Sequence, residues 1–222
     1  MKYYKKYYRR IVGIPSIDFV VSPTPSKGWI IELYGSAAML LAHHAIAEAA
    51  GRGLVAVVHV QDFGGFDPYL VRRLARARGV SVDNVLIARA FRLQDVAPLV
   101  EEASRTGART VVVIDPYHYT PRSPRDYWRL TPITAALRNA ARRALVVVAN
   151  RVGKYGRLLP EGGNFHHHSV HVIVRAWETG RGVMLELVKH PYKPAPRRAL
   201  ATWAEVGVAW RWAGRRSLLE YL

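Results

Sequence analysis

The sequence predicts an α/β fold with a mainly parallel central sheet, helices on both faces and an antiparallel hairpin at one edge. Short apolar runs rich in Val and Ile alternate with longer helical segments, and this alternation is typical of right-handed crossovers between parallel strands. Near the end of the chain, two stretches of alternating apolar and polar residues flank residues 179–182, a typical hairpin turn. With 222 residues, 50% of them hydrophobic, the chain can bury a full core in one domain.

The parallel strands are predicted where apolar runs are continuous, because a strand that is covered on both faces needs no polar side. They cover residues 29–34, 54–60, 85–91, 110–115 and 145–150, and the hairpin strands cover 169–177 and 182–190. Helices are predicted over 37–50, 93–105 and 132–143. A further helix opens at Asp67, the N-cap, with Pro68 at the first helical position. Residues 11–27, interrupted by three prolines, are predicted to form an irregular lead-in.

The charge of the chain predicts a polyanionic partner. There are 33 basic and 16 acidic residues, a formal net charge of +17, and this excess causes self-repulsion that solubility alone does not require. Residues 1–12 form a basic, Tyr-rich arm before a core domain over 13–203, and residues 204–222 form a basic tail rich in Trp and Arg. The absence of Cys and the excess of Arg over Lys are compatible with a thermophile.

The sequence predicts a cytoplasmic protein without a membrane partner. No apolar run is long enough to span a bilayer, and the first ten residues lack the apolar segment of a secretory signal.

The junction after the first strand decides whether the chain can hold a nucleotide. A phosphate loop follows the pattern G-x-x-x-x-G-K-[ST], because backbone N–H groups and the Lys hold the phosphates and the hydroxyl holds Mg²⁺. Here Gly35 is followed by Ser36, Ala37, Ala38 and Met39. The junction therefore has no Lys, no second Gly and no hydroxyl at the metal position, and no cofactor is expected.

Two loops and the N-terminal arm carry the residues that we expect to bind nucleic acid. Residues 116–128 follow a central strand, and ligands of open α/β sheets bind at such strand ends. Residues 151–163 are glycine-rich and basic and are predicted to form a disordered, polyanion-binding loop. Arg and Lys would hold phosphates while Tyr stacks on bases. The predicted binding residues are Tyr117, Tyr119, Arg122, Arg125, Arg151, Lys154, Tyr155 and Arg157, with Lys2, Lys5, Lys6, Arg9 and Arg10 as an auxiliary arm.

A run of three histidines raises the alternative of a metal site, because neutral imidazoles are common ligands. On a strand, His166 and His168 would share a face while His167 points away. The nearest carboxylate in the sequence is Glu161. We therefore expect no metal site and place these imidazoles at the border of residues 151–163.

A series of short motifs resembles the RecA/RadA recombinase superfamily, especially archaeal RadA and its single-domain RadB-type paralogues. The matching segments are 13–18, 31–35, 41–43, 88–91, the Walker B strand 111–115, 147–150, 162–164 with His168, and 187–190 with Pro194. Each motif is short, but their shared order covers roughly residues 13–203. The resemblance therefore implies a RecA-like core, in which residues 116–128 form an L1-like loop and residues 151–163 an L2-like loop.

Departures from the family's pattern imply a protein without ATPase activity. Ala38 and Met39 stand where the family has Lys and Thr, and Phe63 stands where its catalytic Glu belongs. Asp115 matches the residual Walker B position, and without a phosphate loop it is interpreted as the end of a strand. Phosphoryl transfer depends on positioning and charge stabilisation, so these losses together should abolish ATP turnover.

The resemblance implies a non-catalytic accessory factor of recombination or DNA repair that binds DNA, preferentially single-stranded. Two alternatives remain open: an assembly subunit of a recombinase or a tRNA-modification complex, and an ATPase with an unorthodox nucleotide site. RNA is an alternative ligand, because Arg, Lys and Tyr serve both nucleic acids. A homodimer or a recombinase partner is compatible with the sequence, whereas recombinase-like filaments are not expected because no F-x-x-A motif occurs.

Overall fold

One mixed sheet organises the described part of the chain, which in this computed structural model comprises residues 10–61, 65–154 and 158–207. Its strands are β1 (Ile30–Tyr34), β2 (Val55–Val60), β3 (Val85–Ala90), β4 (Thr110–Ile114), β5 (Leu145–Asn150), β6 (Val172–Thr179), β7 (Gly182–Lys189) and β8 (Arg197–Thr202). Their order across the sheet is β3-β2-β4-β5-β1-β6-β7-β8. Neighbours from β3 to β6 are parallel, and β7 and β8 are antiparallel. The predicted fold class is confirmed.

Helices cover both faces of the sheet. They are α1 (Pro15–Val21), α2 (Ala38–Ala50), α3 (Pro68–Ala77), α4 (Leu93–Arg105), α5 (Thr131–Ala141), α6 (Gly163–Ser169) and α7 (Trp203–Val206), with a 3₁₀ helix at Pro124–Leu130. Apolar residues of α1, α2 and α3 share one buried cluster, and those of α4 and α5 share another.

The two core clusters follow from the alternation of side chains along each strand. In β1, Ile31 and Leu33 belong to the α2 side of the sheet, whereas Ile30 and Tyr34 belong to the α5 side. All five residues of β1 are buried. A central strand covered on both faces therefore has an apolar run, as the sequence predicts.

The local signals around α3 are confirmed. Asp67 has an extended backbone, and its carboxylate accepts hydrogen bonds from the backbone N–H groups of Tyr69 and Leu70 at 2.9 and 3.0 Å. Pro68 occupies the first helical turn, where its missing N–H would have no helical partner. The predicted bounds of α4 and β5 also match the structure.

Several predictions of secondary structure are wrong. Residues 15–21 of the expected irregular lead-in form α1, because Pro15 lies in the first turn, where proline is tolerated. The strand geometry considered for His166 to His168 does not hold, because these residues lie in the helix α6. The hairpin continues into a third antiparallel strand, β8, which pairs with β7 from Gly182↔Thr202 to Leu187↔Arg197.

Residues outside the 13–203 segment contribute to the same core. Ile11 and Val12 are buried, and their N–H groups donate to the carboxylate of Asp18 at 2.7 and 2.8 Å. Val206 of α7 is buried as well. In the described ranges, no helix combines the length and apolar character needed to cross a membrane.

Candidate functional site

The carboxyl ends of four neighbouring strands meet at one edge of the sheet. In the parallel register Tyr34 of β1 lies opposite Asn150 of β5, with β4 and β2 next in order. The residues that follow these strand ends therefore gather around one cavity of about 320 Å³. It is lined by Gly35, Ala38, Met39, Gln61, Asp115, Ala149, Asn150 and Arg151. Ligands of open α/β sheets bind at this position, so we describe it as the strand-end site.

The turn between β1 and α2 uses its backbone N–H groups within the protein. The N–H of Gly35 donates to the carbonyl of Asn150 at 3.1 Å, and that of Ala37 donates to the carbonyl of Ala176 at 3.2 Å. The N–H of Ala38 donates back to the carbonyl of Gly35 at 3.1 Å. Gly35 has a φ of +109°, and a Cβ there would lie 2.4 Å from the Ala176 carbonyl oxygen. The turn is therefore pressed against β6, and these three donors point at protein acceptors.

Asp115 is held by groups of the protein. Its backbone adopts a φ of +54°, a conformation that Asp tolerates better than most residues, and its side chain is almost fully buried. Arg151 contacts both carboxylate oxygens, with Nε donating to Oδ1 at 3.0 Å. Gln61 Nε2 donates to Oδ2 at 3.0 Å. The guanidinium of Arg151 thus provides the positive charge that compensates this buried carboxylate.

A buried polar network lies beneath the strand-end site. The Oε1 atom of Glu32, on β1, accepts from Asn150 Nδ2 at 2.7 Å and lies 2.9 Å from His166 Nε2. On the other side of the imidazole, His166 Nδ1 is 2.7 Å from the hydroxyl of Tyr117, which in turn lies 2.9 Å from Thr134 Oγ1. This chain of contacts connects β1, α6, the L1-like loop and α5. Because it is fully buried, it fixes the positions of those elements.

One signal for this network is present in the sequence, although it does not enter the predictions above. Glu32 stands in the middle of the apolar run of β1, where both faces of the strand are covered. A buried carboxylate needs polar partners, and the histidine run is a natural source of one. The partners lie more than a hundred residues away, however, so sequence spacing could not identify His166 among the three histidines.

Tyr117 is a correction to the predicted nucleic-acid-binding residues. Its side chain is 0% exposed, and burial raises the pKa of its hydroxyl well above the ordinary value. A Cβ on Gly162 would lie 2.6 Å from its ring, so the backbone of the L2-like loop covers it directly. The prediction that Tyr117 stacks on a base is therefore wrong.

Of the three consecutive histidines, His166 faces the core, His167 is half-buried and His168 is exposed. On α6 only His166 is buried, and the carbonyls of His167 and His168 accept hydrogen bonds from Lys189 Nζ at 3.0 and 3.1 Å. In the described ranges there is no group of three or more His, Cys, Asp or Glu residues that could hold a metal.

The L1-like loop places two of its predicted cations at the surface. Arg122 and Arg125 are exposed, and Ser123 caps the 3₁₀ helix by accepting from the N–H of Arg125 at 3.3 Å. Tyr119 is half-buried and packs edge-on against His118 at 4.8 Å between ring centroids. Of the residues of this loop that the sequence predicts to bind nucleic acid, Arg122 and Arg125 are therefore the exposed ones.

The described residues of the L2-like loop are anchored to the rest of the site. Val152 and Pro160 form an antiparallel bridge, and the buried carboxylate of Glu161 accepts from the N–H of Lys154 at 2.9 Å. The Nζ atom of Lys154 donates to the carbonyl of Thr120 in the L1-like loop at 3.0 Å. The described residues of this segment are thus held by specific contacts, contrary to the expected disordered loop.

Several predicted residues lie outside the described residues: Lys2, Lys5, Lys6, Arg9, Phe63, Tyr155 and Arg157. Arg10 is described and exposed, and its carbonyl accepts a hydrogen bond from Arg52.

Comparisons with known proteins were made for sequence and for fold. No family model matches the chain. Protein RecA from Synechococcus sp. (strain CC9902) is 29% identical over 148 residues, which cover 65% of this chain and 38% of that protein. Protein RecA from Porphyromonas gingivalis (strain ATCC 33277) is 39% identical over 94 residues, covering 40% of this chain and 26% of that protein. The chain thus spans well under half the length of these relatives.

The fold has a solved counterpart. A crystal structure of the RadB recombinase superposes with a TM-score of 0.70 over 88% of this chain and 96% of that chain, at 18% sequence identity. The mainly parallel sheet with its antiparallel edge is therefore a RecA-like α/β fold.

Proposed function

We propose, from the relationship to the RecA/RadA-type superfamily that its sequence and fold support, that this chain is a non-catalytic, recombination-related protein that binds DNA. The observation that carries the first half of the proposal is the turn between β1 and α2. In a phosphate loop the backbone N–H groups face the phosphates, whereas those of Gly35, Ala37 and Ala38 donate to protein carbonyls. A nucleotide would have to break these contacts to bind there.

The surroundings of Asp115 support the same conclusion. A Mg²⁺ ion held by this carboxylate would have to displace the guanidinium of Arg151 and the amide of Gln61. Because Arg151 already neutralises the charge, a metal would gain little by replacing it. The chain therefore uses an internal cation where a nucleotide-binding protein needs a metal ion.

The surface around the site supports nucleic-acid binding. Arg122, Arg125 and Lys154 are exposed on the two adjacent loops, which Lys154 joins through the Thr120 carbonyl. The net charge of +17 favours a polyanion. Arginine guanidiniums hold phosphates by paired hydrogen bonds, so these loops would contact the backbone of DNA, with single strands preferred.

Fluorescence anisotropy with single-stranded and duplex DNA tests this proposal. The loop variant (Arg122→Ala, Arg125→Ala, Lys154→Ala) is compared with a control variant (Lys27→Ala, Arg142→Ala, Arg143→Ala) that removes the same charge. The control residues are exposed near the amino-terminal end of β5, at the opposite edge of the sheet. We expect only the loop variant to lose affinity for single strands, with a salt slope reduced by about 0.7 per lost contact.

Two results would reject the proposal. If the unaltered protein binds neither form of DNA at low salt, it is not a DNA-binding protein. If the loop and control variants lose equal affinity, binding depends on overall charge and not on these loops. Competition between matched DNA and RNA oligonucleotides then identifies the preferred nucleic acid, because only contacts to the 2′-OH separate them.

The alternative of an active nucleotide site has a separate test. A calorimetric titration with ATP and Mg²⁺ should show no binding in the micromolar range, because the turn donors and Asp115 are already occupied. Micromolar binding would overturn the non-catalytic half of the proposal while leaving the DNA-binding half intact.

One observation favours a second candidate function, that of an assembly subunit. In the part of the chain that the structure describes, β3 pairs only with β2, and Leu86 and Ile87 on it are 45% and 51% exposed. Edge strands with apolar side chains tend to pair with another chain. Light scattering after gel filtration, compared between the protein and Ile87→Lys, tests it: a shift from a larger species to the monomer is expected if this edge is an interface.

A further inference from the structure

The outer face of α3 carries a row of basic side chains remote from the strand-end site. Tyr69, Arg72, Arg73 and Arg76 follow the spacing of one helical face, and all four are exposed. The opposite face buries Leu70, Val71 and Leu74 against the core. The helix is thus anchored on one side and presents its cations to solvent on the other.

A second wall turns this face into a groove. The chain leaves α3 at Arg78 and returns to the sheet through residues 79–83, and together with α3 these residues line a cavity of about 810 Å³. The cavity at the strand ends is smaller, about 320 Å³. Val80 and Val82 add apolar surface to the groove. Its volume lies within the range of pockets that hold small molecules or parts of larger ones.

Two of the arginines that line the groove, Arg72 and Arg76, have no partner among the described residues. Within the described ranges, the guanidiniums of Arg72 and Arg76 have no hydrogen bond or ion pair. The carboxylate that lines the groove, Asp83, accepts a hydrogen bond from Ser81 Oγ at 2.6 Å. Like charges four residues apart on a helix repel each other, so this arrangement is unfavourable unless an anion lies between them.

The next arginine along the chain shows the contrast. Arg78 is partly buried, and its guanidinium donates to the carbonyls of Leu74 and Val12 and lies near the carboxylate of Glu48. A structural arginine of this region therefore has several protein partners. Arg72 and Arg76, in contrast, are exposed and have no such partner among the described residues.

We propose that this groove, formed by α3 and residues 79–83, binds the phosphodiester backbone of a nucleic acid, with Tyr69 stacking on a base. The side chain of Tyr69 is 79% exposed, and an aromatic ring beside guanidiniums is the arrangement that holds single-stranded nucleic acids. An acidic peptide would use the cations but would leave the ring without a stacking partner. The groove shares no residue with the loops, and the inference rests on the proposed function only in that the ligand is a nucleic acid.

The test measures anisotropy for single-stranded DNA with a groove variant (Arg72→Gln, Arg76→Gln) and a matched control (Arg142→Gln, Arg143→Gln). Both pairs are exposed, and thermal melting confirms that each variant is folded. We expect the groove variant to lose about tenfold in affinity at low salt and up to about 1.4 in salt slope, that is, two contacts of about 0.7. The control should bind like the unaltered protein. Tyr69→Ala should weaken binding without changing the salt slope.

The outcomes separate this inference from the proposed function. If the groove variant alone loses affinity, the groove is a binding surface even though the loops are not. If the loop variant alone loses affinity, the inference is wrong while the proposed function stands. Polyglutamate serves as the competing probe: if it binds the unaltered protein but not the groove variant, while DNA binding is unchanged by the substitutions, the groove takes acidic proteins and the inference is overturned.

Discussion

The strand-end site and the α3 groove contain the same residue types in opposite environments. At the strand ends, Arg151 is paired with Asp115 and Tyr117 is fully buried. In the groove, Arg72 has no described partner and Tyr69 is largely exposed. In the sequence, all four are arginines and tyrosines of basic segments, and nothing local separates the buried ones from the exposed ones. The comparison teaches that nucleic-acid binding cannot be inferred from Arg and Tyr in a strand-end loop until their internal partners are known.

The largest expected effect distinguishes the two tyrosines. Tyr117→Ala should lower the free energy of unfolding by about 3–5 kcal/mol, because it removes a buried aromatic ring and breaks the hydrogen-bond network with His166. Tyr69→Ala should change it by less than about 0.5 kcal/mol, because the ring is exposed. Urea denaturation of both variants measures the difference. Equal effects would show that the two environments are not distinct.

The next effect concerns the arginines. Arg151→Met should lower the free energy of unfolding by about 1–3 kcal/mol, because Asp115 would keep a buried charge with fewer partners. Asp115→Asn added to Arg151→Met should recover part of this loss, since Asn carries no charge and tolerates the positive φ. A double-mutant cycle by urea denaturation gives the coupling. Additive effects would mean that the ion pair is not what holds Arg151.

The pH dependence of stability should also distinguish the surroundings of Arg78, which contacts His44, from those of Arg76, which does not. Burial, with smaller contributions from Arg78 and His43, lowers the pKa of His44 to about 3 from its ordinary 6.5. Between these pH values the unfolded chain binds a proton that folded His44 does not. The contribution of His44 to stability should therefore fall as the pH decreases through this window, by up to about 1.4 kcal/mol per pH unit, whereas Asp18, whose pKa burial raises to about 6, contributes with the opposite sign.

His44→Leu removes this titration. The loss of stability that His44 causes as the pH decreases should therefore be absent from this variant over the same window. Its contribution is measured by thermal unfolding at successive pH values, with Arg76→Gln as the control because Arg76 does not contact His44. An unchanged slope in His44→Leu would show that other groups cause the acid sensitivity.

The smallest effect on stability is expected in the groove. Arg72→Gln combined with Arg76→Gln should change the free energy of unfolding by less than about 0.5 kcal/mol, and the sign should be stabilising at low salt because two like charges no longer repel. Thermal melting at two salt concentrations checks this. A clear destabilisation would mean that these guanidiniums have structural partners.

The fold was largely predictable because its signals are local. The Asp67 cap, the bounds of α4 and the apolar run of β5 each depend on residues close in sequence. The two failures have different causes. Pro15 lies in the first turn of α1, where a proline permits a helix. The histidine run lies in a helix whose buried residue, His166, contacts Glu32, which is distant in the sequence.

The site was less predictable because its contacts are long-range. Asp115 and Arg151 are 36 positions apart, and Lys154 reaches Thr120 across 34. Neither separation carries a sequence pattern. The absence of a phosphate-loop pattern after Gly35 is visible in the sequence because it concerns only a few neighbouring residues. The internal contacts of Arg151 and Tyr117, by contrast, depend on the order of the strands.

The contact between Ser16 and Glu205 has a consequence for the order of folding. Ser16 lies in the first turn of α1, where a backbone N–H has no helical acceptor, and it donates to Glu205 Oε1 at 2.7 Å. The cap of the first helix is thus supplied 189 positions later in the chain. During synthesis α1 is made before α7 and cannot complete this contact until α7 has emerged, so the amide of Ser16 should gain protection from hydrogen exchange only after that point.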